Sequence, residues 1–176
     1  MKRPSWDEYF MEMAELTAKR STCMRRSVGA VIVKDRRAIA TGYNGAPRGR
    51  VNCNDLGKCI REELDIPRGE RYELCRSVHA EQNAIIQAGQ DRCMGASMYI
   101  YGHDFICILC KRFIVQAGIK NCVLKKDEFS PVVRVSVDDI RNIIITVKQL
   151  FLIIYLKQQV LVILNKKLMN LSKIKK

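Results

Sequence analysis

The sequence is poor in histidine and lacks a long uncharged apolar stretch. Its 176 residues include only His79 and His103, so a metal site that uses histidine has few candidates. No window of about 18 uncharged apolar residues occurs, and we therefore expect no membrane-spanning helix. The first residues are charged and lack the apolar core of a secretory signal, which favours a cytoplasmic protein.

Cysteine is abundant, with eight residues in the chain. In a reducing compartment, metal binding or chemistry explains clustered cysteines better than disulfides do. Hydrophobic residues make up 48% of the sequence, which is enough to bury a core, and the length predicts one domain.

The basic residues are unevenly distributed. The net charge is +13, but residues 141–176 carry eight Lys and Arg and no Asp or Glu, which leaves +5 for the rest. A mildly basic body suits a small phosphorylated ligand better than a nucleic-acid groove. We therefore expect a small phosphorylated substrate and no nucleic-acid partner.

Helical and strand patterns alternate along the chain. Ser5 is a candidate N-cap for the first helix, and Gly89 is a natural stop for a later one. A loop-rich stretch, with a short helix near residues 58–64, separates the first two strands from the rest. The predicted helices cover residues 6–17, 79–88 and 107–117, and the predicted strands cover residues 28–32, 38–42, 97–101 and 120–124. This order predicts an α/β fold in which helices cover the faces of a mixed sheet.

The segment 141–176 differs in kind from the rest. Two apolar runs at 150–156 and 160–164 are interrupted by a Lys-Gln-Gln triplet and followed by lysines and asparagines. The segment could pack as a helix, contact a partner or lie on a membrane surface; burial is the simplest interpretation. We treat residues 1–140 as the predicted domain and residues 141–176 as a tail of undetermined structure.

Two motifs carry candidate chemistry. His79-Ala80-Glu81 opens one predicted helix, and Cys107-Ile108-Leu109-Cys110 opens the next. If both helices lie on one face of the sheet, their N-termini can converge, and His79, Cys107 and Cys110 then supply three zinc ligands with a fourth position for water. Glu81 lies beside the metal without binding it, so it can act as general acid and base.

His-x-Glu followed by Cys-x-x-Cys is a known signature of zinc nucleobase deaminases. The wider sequence at residues 27–33, 41–47 and 69–85 resembles the bacterial deoxycytidylate (dCMP) deaminase family, and the resemblance spans roughly residues 4–140. It implies a cytidine-deaminase-like three-layer α/β/α sandwich and the hydrolysis of dCMP to dUMP and ammonia, which feeds thymidylate synthesis.

The resemblance also implies roles for individual residues. His79, Cys107 and Cys110 would bind the catalytic Zn²⁺, and Glu81 would shuttle protons. Asn44 would contact the deoxyribose, and the backbone of Ala80 would hydrogen-bond to the base. Arg26 is a candidate for the 5′-phosphate, since a guanidinium suits that group. Many relatives are homo-oligomers regulated by dCTP and dTTP, with Mg²⁺ carried by the triphosphate.

The sequence departs from the family before the second motif. Ile106 stands where a proline is usual, and the loop at residues 102–106 is short, so Cys107 could be misplaced. Two alternatives to dCMP deamination stay open, and the altered loop and the basic tail support the first of them. One is a nucleotide-binding or DNA-uptake-associated protein with impaired activity, and the other is a deaminase of another cytosine-like substrate.

Three further cysteines lie in the loop-rich stretch. Cys53, Cys59 and Cys75 could hold a second, structural Zn²⁺, because this stretch otherwise lacks a core. They form an incomplete ligand set, so packed free thiols remain the alternative. Cys23, Cys93 and Cys122 are scattered in sequence, and we expect them to be buried as small apolar side chains.

Overall fold

The computed structural model describes residues 2–67 and 69–141, together with residue 155. The chain divides into two units, Met1–Asp138 and Asp139–Lys176. Except for residues 141 and 155, the predicted tail lies outside the described residues, and the predicted boundary after residue 140 stays a prediction. No helix among the described residues is long and apolar enough to span a membrane.

The first unit contains a five-stranded mixed sheet. The strands are β1 (Gly29–Lys34), β2 (Arg37–Tyr43), β3 (Ser97–Tyr101), β4 (Asn121–Lys125) and β5 (Val133–Ser136). Their order across the sheet is β2-β1-β3-β4-β5. Only β3 and β4 run parallel, and the other pairs are antiparallel, so the predicted mixed sheet is confirmed.

The helices are α1 (Trp6–Ala18), α2 (Cys53–Leu56), α3 (Ile60–Glu63), α4 (Ala80–Ala88), α5 (Gln90–Cys93) and α6 (Ile108–Gln116). Tyr72–Leu74 forms one 3₁₀ turn. The N-terminus of α1 has the predicted Ser5 cap, in which the Ser5 hydroxyl accepts from the Glu8 N–H at 3.3 Å and the Glu8 carboxylate accepts from the Ser5 N–H at 2.7 Å. This reciprocal arrangement satisfies two N–H groups at the helix start.

Two glycines bring helices close to opposite faces of the sheet. A Cβ on Gly29 of β1 would overlap the backbone of α1 at Ala14 and Ala18, whereas a Cβ on Gly42 of β2 would overlap the backbone of α4. Gly42 pairs with Ala30, the neighbour of Gly29, and adjacent residues of a strand point to opposite faces. Helices α1 and α4 therefore cover opposite faces, which confirms the three-layer α/β/α architecture.

The core on the α1 side is continuous. Phe10, Met11 and Ala14 of α1 pack with Val31, Val33, Tyr99 and Val123 of the sheet, and all seven are buried. On the other face, Ile32, Met98, Ile100 and Leu124 are fully buried. Both faces are thus apolar, as expected for a sheet covered by helices on each side.

Candidate metal centre and its pocket

The first motif is positioned by the contact between α4 and β2. His79 is the N-cap residue of α4, and its backbone N–H donates to Gln82 Oε1 at 3.1 Å. Directly before it, Val78 forms a β-bridge with Gly45. Because Gly42 lets the first turn of α4 approach β2, the start of this helix is fixed against the sheet.

The second motif is positioned by the cap of α6. Cys107 is the N-cap residue, and its Sγ accepts from the Cys110 N–H at 3.4 Å. Cys110, on the first turn, is fully buried. The predicted helix 107–117 is thus found as α6, with its first residue serving as the cap.

The two helix starts converge as predicted. His79 Nδ1 lies 3.4 Å from Cys107 Sγ and 3.3 Å from Cys110 Sγ. The three candidate ligand atoms lie within 4.8 Å of one another, and this is the only set of three or more His, Cys, Asp or Glu side chains so grouped in the part of the chain that the structure describes. One imidazole nitrogen and two sulfurs form a donor set that suits Zn²⁺, so the residues present fit this metal.

The short loop at residues 102–106 does not carry Cys107 away from the site. Ile106, which stands in place of the usual proline, is buried, and Cys107 still lies within 3.4 Å of His79. The cap formed with Cys110 fixes the helix start without the pre-set φ angle of a proline.

Charge at the site is distributed unequally between the two cysteines. The hydrogen bond from the Cys110 thiol, together with the nearby His79 ring, lowers the pKa of Cys107 to about 4. The same contact with Cys107, together with burial and the Glu81 carboxylate, raises the pKa of Cys110. Cys107 is therefore the readier thiolate, and the thiolate is the form that binds metal.

His79 and Glu81 shift each other's pKa in opposite directions: the Glu81 carboxylate raises the pKa of His79, and the His79 ring lowers that of Glu81. Burial by itself would lower the pKa of His79, but the contact with Cys107 and the Glu81 carboxylate raise it overall. Glu81 is 3% exposed, and burial raises the pKa of its carboxyl group. A raised pKa suits a carboxyl group that must both take up and release a proton.

These groups open onto a cavity of about 600 Å³. One part of the cavity is lined by residues of the two motifs: His79, Ala80, Glu81 and Cys107. Its wall also includes the other site residues predicted from the sequence: Arg26, Asn44, Cys53, Cys59 and Cys75. Cys110 alone among the predicted site residues is not part of this lining. The volume is sufficient for a small-molecule ligand.

A model of the cytidine and deoxycytidylate deaminase zinc-binding region matches residues 4–126. The chain belongs to this deaminase family. The matched residues include both motifs and the strands β1 to β4.

Curated relatives and solved structures agree with this assignment. The deoxycytidylate deaminase of Schizosaccharomyces pombe is 50% identical over 69% of this chain, and the chain spans 37% of that relative's length. The deoxycytidylate deaminase of Mycobacterium phage D29 is 40% identical over 72% of this chain and is covered over 99% of its own length. The crystal structure of dCMP deaminase from the cyanophage S-TIM5 in apo form is 27% identical with a TM-score of 0.51, over 70% of this chain and 85% of that one.

Asn44 lies in the wall of the cavity, and its side chain connects two segments of the backbone. Its Oδ1 accepts from the Val28 N–H at 2.9 Å, and its Nδ2 donates to the Arg26 carbonyl at 2.8 Å. The side chain therefore holds the segment before β1 against the loop after β2. Arg26 reaches across the pocket, where its Nη1 donates to the Gly102 carbonyl at 3.2 Å and lies 3.3 Å from His103 Nδ1.

The three additional cysteines lie near one another, but they do not form a second compact ligand group among the residues described. Cys53 and Cys59 are buried and Cys75 is half-buried. Burial, followed by the proximity of Cys23, Cys59 and Cys75, raises the pKa of Cys53. Cys23, expected to be an isolated packed thiol, is thus a fourth member of this neighbourhood.

Sequence reasoning missed two residues beside the motif. The Tyr72 ring lies edge-on to the His79 ring, with centroids 4.9 Å apart, and the Arg61 guanidinium lies 4.8 Å from the centre of the Tyr72 ring. Both come from the loop-rich stretch, in which no periodic pattern indicated their position.

Proposed function

We propose that this chain is a zinc-dependent hydrolase that converts dCMP to dUMP and ammonia. The observation that carries the proposal is the convergence of His79, Cys107 and Cys110 beside the buried Glu81, in a cavity large enough for a nucleotide. The names of the fission-yeast and mycobacteriophage relatives support dCMP as the substrate.

His79, Cys107 and Cys110 would hold the metal. Bound Zn²⁺ in such a site lowers the pKa of a water molecule to about 7 and so makes hydroxide available near neutral pH. Glu81 takes a proton from the attacking water and passes protons to the ring nitrogen and then to the leaving amine. Water thus supplies the new carbonyl oxygen, and ammonia leaves with the added protons.

The remaining site residues are proposed to orient the nucleotide. Ala80 is the first residue of α4, so its N–H has no intrahelical acceptor and is available to the base. Asn44 is proposed to face the deoxyribose while its amide secures the wall, and Arg26 is proposed to contact the 5′-phosphate. The alternative of a nucleotide-binding or DNA-uptake-associated protein with impaired activity rested on the short loop before Cys107 and on the basic tail. The observed distance from Cys107 to His79 speaks against the first of these supports.

A substrate panel tests this function. The zinc-loaded protein is supplied with dCMP, deoxycytidine, cytosine and a cytosine-containing RNA hairpin, and ammonia release is measured. Release from dCMP at a rate well above that from the other three supports the proposal. Preference for cytosine or for the hairpin would assign the site to another deaminase substrate.

We further propose a structural Zn²⁺ at Cys53, Cys59 and Cys75. The burial of Cys53 and Cys59 and the nearby Cys23 thiol support it, since four sulfurs would complete a tetrahedral site. Two zinc ions per chain in the wild type and one in Cys53→Ser, by elemental analysis, are expected. An unchanged single zinc in both would leave these residues as packed thiols.

The quaternary and regulatory features remain proposals. We propose a cytoplasmic homo-oligomer whose activity responds to dCTP and dTTP, with Mg²⁺ carried by the triphosphate. Sedimentation of the purified protein gives its oligomeric state. Titration of dCMP turnover with each triphosphate, with and without Mg²⁺, tests the regulation.

A further inference from the structure

Arg61 is a buried cation in the insert between β2 and α4. It belongs to α3, and only 7% of its surface is exposed. Its Nη2 donates to the Pro67 carbonyl at 3.0 Å, and its guanidinium stacks against the Tyr72 ring. A guanidinium stays charged at every physiological pH, so this side chain places a permanent positive charge in the interior.

Arg61 forms no ion pair with a carboxylate among the described residues, although its charge contributes to the lowered pKa of Glu73. Three acidic side chains of the insert pair with other cations: Glu62 with Arg25 at 3.7 Å, Glu63 with Lys58 at 3.8 Å, and Glu73 with Arg71. In addition, the Arg61 Nε is buried without a hydrogen-bond partner. Burying a charge without an ion-pair partner costs several kcal/mol, which favours the binding of an anionic ligand at this position.

Arg61 lines the same cavity as His79 and Glu81. Tyr72 lies between them, because its ring contacts the Arg61 guanidinium on one side and meets the His79 ring at an interplanar angle of 74° on the other. A small molecule in this cavity can therefore contact Arg61 at one end and the metal centre at the other.

We propose that Arg61 binds the 5′-phosphate of the nucleotide substrate. This inference rests on the proposed function, which supplies a ligand with a phosphate at one end and a reactive base at the other. The planar guanidinium offers paired donors that match phosphate oxygens. Arg26 is the other candidate for this contact, but its Nη1 already donates to the Gly102 carbonyl, whereas Arg61 Nε has no acceptor in the described chain.

Binding of dUMP and deoxyuridine tests the role of Arg61 without turnover. Calorimetry on the zinc-loaded full chain compares wild type with Arg61→Gln. We expect the variant to bind dUMP about 10- to 100-fold more weakly, as for the loss of charge-assisted hydrogen bonds, and to bind deoxyuridine as wild type does. Arg25→Gln is the matched control: this arginine lines the same cavity but pairs with Glu62, so the selective loss should be absent.

Arg61→Lys guards against a folding defect, because it keeps the charge and a donor for Pro67. Zinc content and circular dichroism establish that each variant is folded. If Arg61→Gln does not fold, Arg61→Lys decides, with an expected loss of about tenfold for dUMP alone. Equal losses for dUMP and deoxyuridine, unchanged dUMP binding, or a wild type that does not prefer dUMP to deoxyuridine would each overturn the inference.

The same measurement separates this inference from the proposed function. If wild type binds dUMP through Arg61 but releases no ammonia from dCMP, the phosphate contact is supported and the enzymatic assignment is contradicted. If wild type deaminates dCMP and Arg61→Gln binds dUMP as tightly as wild type does, the enzymatic assignment is supported and the phosphate contact is contradicted.

Discussion

At the scale of single residues, the site combines groups whose proton affinities are driven apart. Cys107 has its pKa lowered to about 4 through its contacts with Cys110 and His79, whereas burial raises the pKa of Glu81. The former suits a metal ligand that must be deprotonated, and the latter suits a group that must exchange protons. Pairs of titratable groups separated in this way are typical of catalytic sites.

Glu81→Gln is expected to remove catalysis and leave the metal site intact. The amide cannot accept the proton of water, and the change keeps the volume of the buried side chain. We expect kcat for dCMP to fall by about 10²- to 10⁴-fold, the usual contribution of general acid–base catalysis. Zinc content by elemental analysis should match wild type. A variant that keeps its turnover would show that another group moves the protons.

The orphaned donor of Arg61 illustrates what residue patterns leave out. His79, Glu81, Cys107 and Cys110 could be predicted because their types and spacing fit zinc chemistry. The partners of Arg61 could not, because its burial and its contact with Tyr72 depend on how the insert folds. The same holds for the proximity of Cys23 to Cys53.

At the scale of elements, close contacts between helices and strands hold the site in place. Because Gly42 of β2 has no Cβ, the backbone of α4 at Ala80 and Ala84 packs directly against it. This contact fixes the start of the helix, which carries His79 and Glu81, against the sheet. Gly29 of β1 admits α1 on the other face in the same way. The two glycines therefore provide a matched pair, of which only one supports the metal centre.

Gly42→Ala is expected to impair the site more than Gly29→Ala does. Each added Cβ overlaps helix backbone, and overpacking of this kind costs about 1–3 kcal/mol or more of unfolding free energy. Only Gly42→Ala shifts α4, so we expect a lower zinc content and lower kcat in that variant. Urea unfolding and zinc analysis of both variants measure the difference. Equal zinc loss in the two would mean that the site depends on general stability alone.

A second link ties α1 to the sheet. The Tyr99 hydroxyl of β3 donates to Asp7 Oδ1 of α1 at 2.6 Å, and Arg134 of β5 pairs with the same carboxylate. Burial and the bond to Asp7 raise the pKa of Tyr99 to about 12, whereas the hydrogen bond from Tyr99, followed by Arg134, lowers the pKa of Asp7.

Tyr99→Phe is expected to lower the unfolding free energy by about 1–2 kcal/mol near neutral pH, because one buried hydrogen bond is lost. A tyrosine whose pKa is raised in the folded state stabilises the fold below its unfolded pKa of 10.0, and this contribution disappears as the pH rises toward about 12. The difference between wild type and variant should thus shrink above pH 10. Urea unfolding at neutral and alkaline pH measures it, and a difference that stays constant would contradict the assigned bond.

Most of the fold could be predicted from periodicity and punctuation. The strand at Ser97–Tyr101 matches the expected range, and α3 lies within the short helix expected near residues 58–64. Helices α2 and α5, which have four residues each like α3, were not predicted, and segments of this length are too short to show a helical period. Strand β5 was not predicted either. Along Val133–Ser136, valines alternate with Arg134 and Ser136, which is the pattern of a half-exposed edge strand.

At the scale of the whole molecule, the candidate site and the family match lie in the first unit, and most of the excess positive charge lies in residues 141–176. The family match ends at residue 126, and an alignment over 72% of this chain covers 99% of the mycobacteriophage relative. Residues 141–176 add eight basic and no acidic side chains. The deaminase assignment therefore does not require this basic segment.

A chain that ends at residue 140 is expected to keep the kcat/KM of the full chain for dCMP. Its binding to double-stranded DNA at low salt should weaken, and the dependence of that binding on salt should become less steep, since basic side chains dominate non-specific contacts. Turnover and fluorescence anisotropy at two salt concentrations measure both effects. A folded, zinc-loaded short chain without turnover would place an essential element after residue 140.

The most direct test of the account is dCMP turnover, followed by the absorbance change from cytosine to uracil, in protein whose zinc content is measured on the same sample. We predict turnover at an enzymatic rate in protein with about one or two zinc ions per chain, and no turnover after removal of the metal by a chelator. Zinc-loaded, folded protein that leaves dCMP unchanged would contradict the central claim.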